Sequence, residues 1–401
     1  MTPKERVLKS VGHQMVDRIP IDLGSSIQTT IHAYAYRDLK NALGAGDGKP
    51  EIMDTYIMAA RVEEPVLNAL DLDVVPLLCA YDGLGMRNGR AASEWTMPKG
   101  VRVLVSDDFR PQEQSDGSFL VEKNGFTFKM PKGGYYFDAI RYALQDAETP
   151  EDVDKCFDFR GYGAAESEYY KGEAKRLRSE RRAVVGDVFA SFSAEDNFGY
   201  EKAMMYLVSE RKLIEYFLER LTDMFIRNFD VFYQAVGDIA DIMMIHKDMG
   251  NQLGPMISPV VAREVFFPLF RRFTSHVKAK SRYKIMMHNC GSIYEFIPDL
   301  IDAGIDILNP VQISAKNMEP ARLKREFGKD ICFWGGGVDT QKVLPFGTEQ
   351  EVRKQVRENA KILGRGGGFV FTPVHCIQAN VPARNIIAAY EEIKRLDVGV
   401  T

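Results

Sequence analysis

The sequence predicts an α/β fold that is most simply a (β/α)8 barrel, the TIM barrel. Eight short segments are rich in β-branched and apolar residues, and several are continuous apolar runs, as expected for parallel strands covered on both faces. Helical patterns separate these segments, which indicates βαβ units and a parallel sheet. The predicted strands cover residues 18–23, 73–78, 183–188, 239–245, 283–288, 304–309, 331–334 and 368–372.

Helix start signals stand between the predicted strands. Thr149 and Ser258 each precede a proline, which suits the first position of a helix. Ser292 and Thr348 each precede a glutamate by three residues, which is the pattern of a capping box. Residues 202–236 carry apolar side chains at helical spacing over a length that predicts two helices. Eight strand–helix units favour closure into a barrel, although this periodicity is also compatible with a doubly wound open sheet.

Residues 92–136 depart from this alternation. The segment is rich in turn residues, and its dipeptides DG at 116–117 and NG at 124–125 are typical of β-hairpin turns. We therefore expect an antiparallel β insertion within a single barrel domain of residues 1–401. The insertion either covers an edge or the mouth of the barrel, or it shapes a substrate pocket or docks a partner, and its aromatic side chains favour a planar or apolar substrate. These aromatic residues are Trp95, Phe126, Phe128, Tyr135 and Tyr136.

Composition narrows the classes of function. The hydrophobic fraction of 45% and the charged fraction of 27% are typical of a globular protein with a large core. The formal net charge of -4 argues against nucleic-acid binding, which requires a basic patch. Apolar runs end before the roughly 20 residues of a membrane span, and the N-terminal segment lacks the apolar core of a signal peptide. We expect a cytoplasmic protein, and the sequence leaves open whether it forms a homodimer.

The strongest functional signal is His288 and Cys290, which lie two residues apart directly after a predicted strand. The carboxyl ends of barrel strands carry the active site, and zinc prefers imidazole nitrogen and thiolate sulfur. Cys376 follows the last predicted strand, so all three side chains are expected at one rim with an open fourth position, as in catalytic zinc sites. His375 is an alternative third ligand, and a buried thiol beside a hydrogen-bonded histidine is the alternative for His288 and Cys290 alone.

Other polar residues follow predicted strands at the same rim. They are able to bind a substrate, or to support the metal ligands through hydrogen bonds. Loop or helix-cap roles are the alternative for each of them. The candidate substrate-binding residues are Asp248, Gln252, Asn309, Gln312 and Asp339.

Several segments resemble the uroporphyrinogen decarboxylase superfamily, among them HNCGSIYEFIPDLIDAGIDILNPVQ, FWGGGVDTQKVLPFGT and GGGFVFTPVHCIQANVPARNI. The resemblance runs from near residue 2 to about 395 and implies a (β/α)8 barrel. Decarboxylases of this superfamily carry an arginine-rich N-terminal motif of the type RQAGRYLPE, which grips substrate carboxylates. This chain departs from that motif, because its corresponding region reads IDLGSS at 21–26. The departure argues against haem biosynthesis.

Another branch of the superfamily contains corrinoid-linked methyltransferases, such as methylcobamide:coenzyme M methyltransferases. Their zinc is held by H-x-C and a distant cysteine, a pattern that His288, Cys290 and Cys376 match. The resemblance therefore implies methyl transfer between a corrinoid, carried on a separate corrinoid protein, and a small-molecule donor or acceptor at zinc. A methoxylated aromatic, a methylamine or betaine, a thiol and a pterin all remain open. A metal-free decarboxylase-like lyase and a non-catalytic scaffold for a corrinoid partner are the alternatives.

Overall fold

The computed structural model describes residues 1–46, 48–89 and 91–396, and its centre is a parallel sheet of seven strands. Each strand coincides with one of the segments predicted between residues 73 and 372. In order across the sheet, the strands are Phe369–Val370, Cys332–Trp334, Ile307–Asn309, Lys284–His288, Ile242–His246, Ala183–Ser191 and Val74–Leu77. The domain prediction of 1–401 includes positions 47, 90 and 397–401, which lie outside the described residues, and its boundaries stay a prediction.

The remaining predicted strand, at 18–23, joins the two edges of this sheet. The Asp22 N–H donates to the Phe371 carbonyl at 2.8 Å, and Ile21 forms a parallel bridge with Phe371. On the other side, the Asp73 N–H donates to the Ile21 carbonyl at 2.8 Å. These bonds place an eighth strand between the last and the first, so the fold is a closed (β/α)8 barrel and not an open sheet.

The strands of the barrel are covered by apolar side chains on both faces, which explains why their sequences are continuous apolar runs. Side chains on one face of each strand fill the inside of the barrel, and those on the other face pack under the surrounding helices. The strand residues of the inner cluster are Val74, Ala183, Val185, Ile242, Met244, Met286, Ile307, Cys332, Trp334 and Val370.

Helices lie between the strands along the chain. The described α-helices are Pro3–Val11, Ala33–Leu43, Glu64–Ala69, Pro150–Cys156, Ala164–Leu177, Glu195–Phe198, Tyr200–Ser209, Arg211–Val236, Pro259–Val261, Phe267–Lys280, Ile297–Asp302, Pro320–Phe327, Val343–Phe346, Glu349–Leu363 and Ala383–Arg395. Short 3-10 turns at Gly237–Ile239 and Tyr294–Phe296 and a π-helical turn at Ala262–Phe266 accompany them. Among the described helices, none combines the length and the apolar character needed to cross a membrane.

Two of the predicted helix starts are capping boxes in the structure. Thr149 caps Pro150–Cys156, and Thr348 caps Glu349–Leu363. The long apolar pattern at 202–236 forms two helices, Tyr200–Ser209 and Arg211–Val236, as predicted.

The capping box predicted at Ser292 is wrong. The Ser292 hydroxyl donates to the Lys316 carbonyl at 2.6 Å, and the turn that follows, Tyr294–Phe296, is 3-10 and has no side-chain cap. A tertiary contact therefore takes the hydroxyl that the local sequence pattern assigned to a helix start.

The insertion is antiparallel, as predicted, and forms two small sheets. Ala91–Thr96 pairs with Arg102–Ser106, and a four-stranded sheet follows. Its strands, in sheet order, are Asp138–Arg141, Phe126–Met130, Phe119–Lys123 and Gln112–Glu113. Apolar residues of the insertion form one cluster with apolar residues from the segment 33–86. A further three-stranded sheet combines Ile31–His32, Ala59–Ala60 and Ile52–Asp54.

Candidate functional site

Two histidines and one cysteine meet at the carboxyl end of the barrel. His288 ends the strand Lys284–His288 and continues the inward row of Met286, so its ring points into the barrel mouth. The Cys290 Sγ lies 3.3 Å from His288 Nε2. His375, from the loop after the last strand, completes a cluster in which one donor atom of each residue lies within 4.8 Å of the others.

This donor set fits a zinc ion. Two ligands of a tetrahedral zinc at ordinary bond lengths lie about 3.6 Å apart, and the 3.3 Å between Cys290 Sγ and His288 Nε2 is close to that separation. Imidazole nitrogen and thiolate sulfur are also the ligands that zinc prefers. Three protein donors leave one coordination position for a substrate.

The third donor differs from the sequence prediction, which named Cys376. The Cys376 side chain is 2% exposed, and its Sγ lies 3.9 Å from the Ile377 carbonyl oxygen, outside the cluster that contains His375. Burial raises the pKa of the Cys376 thiol to about 12, and nearby Asp54 adds to this effect. Because successive side chains leave the backbone in different directions, His375 faces the cluster and Cys376 is turned away as a buried neutral thiol.

Asn309 sets the tautomer of His288. The Asn309 Nδ2 donates to the Trp334 carbonyl at 3.1 Å, which directs Asn309 Oδ1 towards His288 Nδ1 at 2.8 Å. The proton therefore sits on Nδ1, and the Nε2 lone pair is free for a cation. The sequence placed Asn309 among the substrate-binding candidates, but it is 1% exposed and both ends of its amide are occupied. In the structure Asn309 supports His288, and its contact with a substrate stays a prediction.

Burial decides the protonation of the cluster. It lowers the pKa of His288, and it lowers the pKa of His375 to about 4, with the neighbouring His288 adding to the shift. Burial also raises the pKa of the Cys290 thiol well above its ordinary value, and Asp248 reinforces this. Both imidazoles are thus neutral at pH 7 and able to bind a cation, and a cation at the site would stabilise the Cys290 thiolate.

Asp248 lies beside the open side of the cluster. Its Oδ1 accepts the Cys290 N–H at 2.7 Å and lies 3.9 Å from His288 Nε2, and its side chain is 48% exposed. The turn after Cys290 packs tightly on the Asp248 loop, because a Cβ added to Gly291 would lie 2.2 Å from the Gly250 carbonyl carbon. Asp248 is therefore held at the mouth, and its contact with a substrate stays a prediction.

Two other candidate substrate residues have structural partners. Gln312 Oε1 accepts the Gly291 N–H at 2.8 Å, which secures the turn after Cys290. The Asp339 carboxylate accepts three N–H groups of the following residues, at 3.2, 2.9 and 3.3 Å, and acts as a cap. Gln312 and Asp339 thus have structural partners, and their contact with a substrate stays a prediction. Gln252 Nε2 donates to Gln341 Oε1 at 2.7 Å, and the substrate role of Gln252 stays a prediction.

Asp187 and Gln28 were missed by the sequence analysis. His246 Nε2 lies 2.7 Å from Asp187 Oδ2, and Gln28 Nε2 lies 3.1 Å from His246 Nδ1. Burial lowers the pKa of His246, but the carboxylates of Asp187, Asp248 and Asp196 together outweigh this and the pKa is raised. The His246 ring centroid is 6.3 Å from that of His288, so the group borders the cluster. Asp187 stands at an inward-facing position of the strand predicted at 183–188. This position was the sequence signal that could have identified it.

The segment at 21–26 corresponds to the arginine-rich motif of the decarboxylases, but here it supplies a carboxyl group to the barrel. Asp22 is fully buried, and its Oδ2 accepts hydrogen bonds from Trp334 Nε1 at 2.8 Å and from the Ser25 hydroxyl at 2.7 Å. Burial raises the pKa of Asp22 to about 6 despite these donors. An acid in this position does not bind substrate carboxylates.

Comparisons with known proteins identify a matching family and a solved structure of similar fold. The family described as Uroporphyrinogen decarboxylase (URO-D) matches residues 119–396. A solved methyltransferase from Methanosarcina mazei matches over 98% of each chain with 16% identity and a TM-score of 0.59, a likeness of fold. A GH113 beta-1,4-mannanase complex covers 57% of this chain and 93% of its own at 13% identity, with a TM-score of 0.30 that supports no argument. A comparison with curated protein sequences gave no significant match.

Proposed function

We propose that this chain, which belongs to the uroporphyrinogen decarboxylase family, is a zinc-dependent methyltransferase that moves a methyl group between a corrinoid and a small molecule. The single observation that carries this proposal is the cluster of His288, Cys290 and His375, which presents three donors and an open side at the barrel mouth. Asp248 borders that open side. The fold likeness to a solved methyltransferase is consistent with this function.

The residues of the chain have distinct roles in this proposal. Held by His288, Cys290 and His375, zinc would supply a Lewis acid that polarises a substrate atom at the open position. Asn309 keeps the proton of His288 on Nδ1 and so keeps Nε2 available. Asp248 orients the Cys290 backbone and offers its exposed oxygen to a hydrogen-bond donor of the substrate.

We propose that the corrinoid is carried by a partner protein that docks at the same mouth. Large apolar side chains are exposed near the carboxyl ends of two neighbouring strands: Phe189 lies near the end of Ala183–Ser191, and Tyr200 and Leu253 follow the two strands, with exposed fractions of 40%, 54% and 79%. Exposed apolar groups near an open site favour contact with another protein. These uncharged side chains would also suit contact with the apolar face of the corrinoid ring.

The adjacent residues His375 and Cys376 offer a matched pair of variants for testing the metal centre. We expect purified protein to contain zinc bound by two nitrogens and one sulfur from the chain, as counted by X-ray absorption. His375→Ala should lose zinc and methyl transfer from methylcobalamin, whereas Cys376→Ser should retain both. Elemental analysis of each variant, with circular dichroism as the check of folding, makes the comparison.

Three results would argue against the proposal in different ways. Protein that binds no zinc, or full methyl transfer in the His288→Ala, Cys290→Ala and His375→Ala variants, removes the zinc methyltransferase. Zinc loss in Cys376→Ser with retention in His375→Ala restores Cys376 as the third ligand. Release of carbon dioxide from a carboxylate substrate by metal-free protein would instead favour the lyase.

A further inference from the structure

We propose that the β insertion supports the metal centre, with Tyr136 as a positioning residue for the loop that carries His375. This inference rests on the proposed zinc site and assigns a role to the insertion. The Tyr136 hydroxyl donates to Gln378 Oε1, and Gln378 Nε2 donates to the Cys376 carbonyl oxygen at 3.0 Å. Two hydrogen bonds therefore connect the insertion to the residue next to His375.

The opposite side of the same loop is held by backbone bonds. The Ile377 N–H donates to the Thr30 carbonyl, and the His32 N–H donates to the Ile377 carbonyl, both at 2.8 Å. His32 also holds the insertion. Its Nδ1 accepts the Tyr34 N–H at 3.2 Å, which leaves an Nε2–H to donate to the Tyr135 carbonyl at 3.1 Å. The insertion and the loop that carries His375 are thus both hydrogen-bonded to the strand Ile31–His32, as well as to each other.

Tyr136 is packed so that its hydroxyl has little freedom. Its ring lies edge-on to His32, with centroids 5.5 Å apart at an interplanar angle of 83°. Burial raises the pKa of Tyr136 to about 12, and the nearby Cys376 thiol adds to this, so the hydroxyl remains a donor at neutral pH. A half-buried donor in a fixed ring is suited to hold Gln378 in one rotamer. Gln378 in turn restrains the peptide after His375.

Other aromatic residues of the insertion serve its own core. Phe126 stacks on Phe128 with centroids 5.5 Å apart, and Trp95 lies edge-on to Phe109 at 5.3 Å. The expectation that this aromatic set favours a planar substrate is therefore not supported for these three predicted residues. Tyr136 reaches the barrel loop instead.

Tyr135 provides a matched control beside Tyr136. Its hydroxyl contacts the ammonium of Lys99, which lies 3.9 Å from the Tyr135 ring centroid at an exposed turn. Tyr135→Phe removes the same atom from the neighbouring residue without touching Gln378. Gln378→Leu removes the amide that accepts from Tyr136 and donates to the Cys376 carbonyl oxygen. It tests the same connection if Tyr136→Phe folds poorly.

The experiment measures zinc affinity of the full chain by competition with a chromogenic chelator. We expect Tyr136→Phe and Gln378→Leu to weaken zinc binding about tenfold, as for other residues that orient metal ligands, and Tyr135→Phe to stay within about twofold of the wild type. Hydrogen exchange in the zinc-free protein should become faster at 374–378 in Tyr136→Phe and remain unchanged there in Tyr135→Phe.

A merely structural role gives a different pattern. It lowers the melting temperature of Tyr136→Phe equally with and without zinc and leaves the zinc affinity unchanged, and this result would overturn the inference. Equal loss of zinc affinity in Tyr135→Phe and Tyr136→Phe would overturn it as well. If the wild type binds no zinc, the proposed function falls and the positioning role falls with it. Wild-type zinc binding with an unaffected Tyr136→Phe rejects the positioning role alone.

Discussion

Asn309 joins a metal-ligand candidate to the barrel wall through the two ends of one amide. Leucine has nearly the same shape as asparagine but cannot accept the His288 Nδ1–H, which lies 2.8 Å from Asn309 Oδ1. We expect Asn309→Leu to weaken zinc binding about 10- to 100-fold, since the imidazole is then free to change tautomer and orientation. A chelator competition assay measures the change.

The acceptor at this position can be restored in a second variant. Asn309→Asp keeps an oxygen towards His288 Nδ1, although it loses the donor to the Trp334 carbonyl, so it should bind zinc more tightly than Asn309→Leu. Wild-type affinity in Asn309→Leu would show that His288 needs no such partner.

Proton release distinguishes the two possible third ligands. Burial lowers the pKa of His288 and brings that of His375 to about 4, so both imidazoles are already neutral at pH 7 and release no proton when zinc binds. Burial raises the pKa of the Cys290 thiol, which must lose its proton to bind. We expect about one proton released per zinc, and affinity that rises with pH as the thiol proton becomes easier to remove.

Isothermal titration calorimetry in buffers of different ionisation enthalpy counts these protons. Release of about two protons per zinc would indicate a second thiolate ligand and would restore Cys376, whose thiol also carries a proton at pH 7. The same titration on Cys376→Ser is the control, because it should release the same number as the wild type.

At the level of single helices, two predicted start signals provide a direct comparison. Thr348 Oγ1 accepts an N–H of the first turn of Glu349–Leu363, whereas Ser258, before Pro259, makes no side-chain cap hydrogen bond. We expect Thr348→Ala to lower the free energy of unfolding by about 1 kcal/mol and Ser258→Ala to change it little. Urea denaturation measures both, and equal losses would contradict a capping role for Thr348.

Strands and helix caps differ in how far local sequence predicts them. The strand that ends at His288 was predicted because a buried parallel strand needs apolar residues throughout, and that requirement is visible in the sequence. The cap at Ser292 was predicted wrongly because the Lys316 carbonyl, 24 positions away, takes the hydroxyl. A local pattern identifies an element best when no distant group competes for the same atom.

For the molecule as a whole, Asp73 joins the strand at 18–23 to the sheet at the end of the barrel opposite the candidate metal site. Its buried carboxylate accepts bonds from Arg6 Nη1 at 2.5 Å, Arg18 Nη1 at 2.6 Å and the Ile21 N–H at 2.8 Å. Asp73→Ala leaves Arg6, whose side chain is only 9% exposed, with Asp17 as its remaining carboxylate partner, and leaves the Ile21 N–H without its acceptor. Because Arg6 keeps one carboxylate partner, we expect a loss of about 1–3 kcal/mol in the free energy of unfolding, measured by urea denaturation.

An exposed ion pair offers the control for this effect. Asp38 pairs with Arg37 at 2.7 Å on the surface, where solvent screens the charges, so Asp38→Ala should leave stability almost unchanged. Similar losses in Asp73→Ala and Asp38→Ala would mean that Asp73 has no special role in joining the 18–23 strand to the sheet.

The amino-acid order alone was enough to identify the eight strands, the antiparallel insertion and the rim position of His288 and Cys290, because burial patterns and strand ends are local properties. Three-dimensional packing decided that His375 rather than Cys376 faces the cluster, that Asn309 bonds to His288 and Asp339 to a backbone turn, and that Tyr136 reaches Gln378. These outcomes depend on the direction in which each side chain leaves the backbone and on partners far along the chain. Neither is contained in the spacing of residue types.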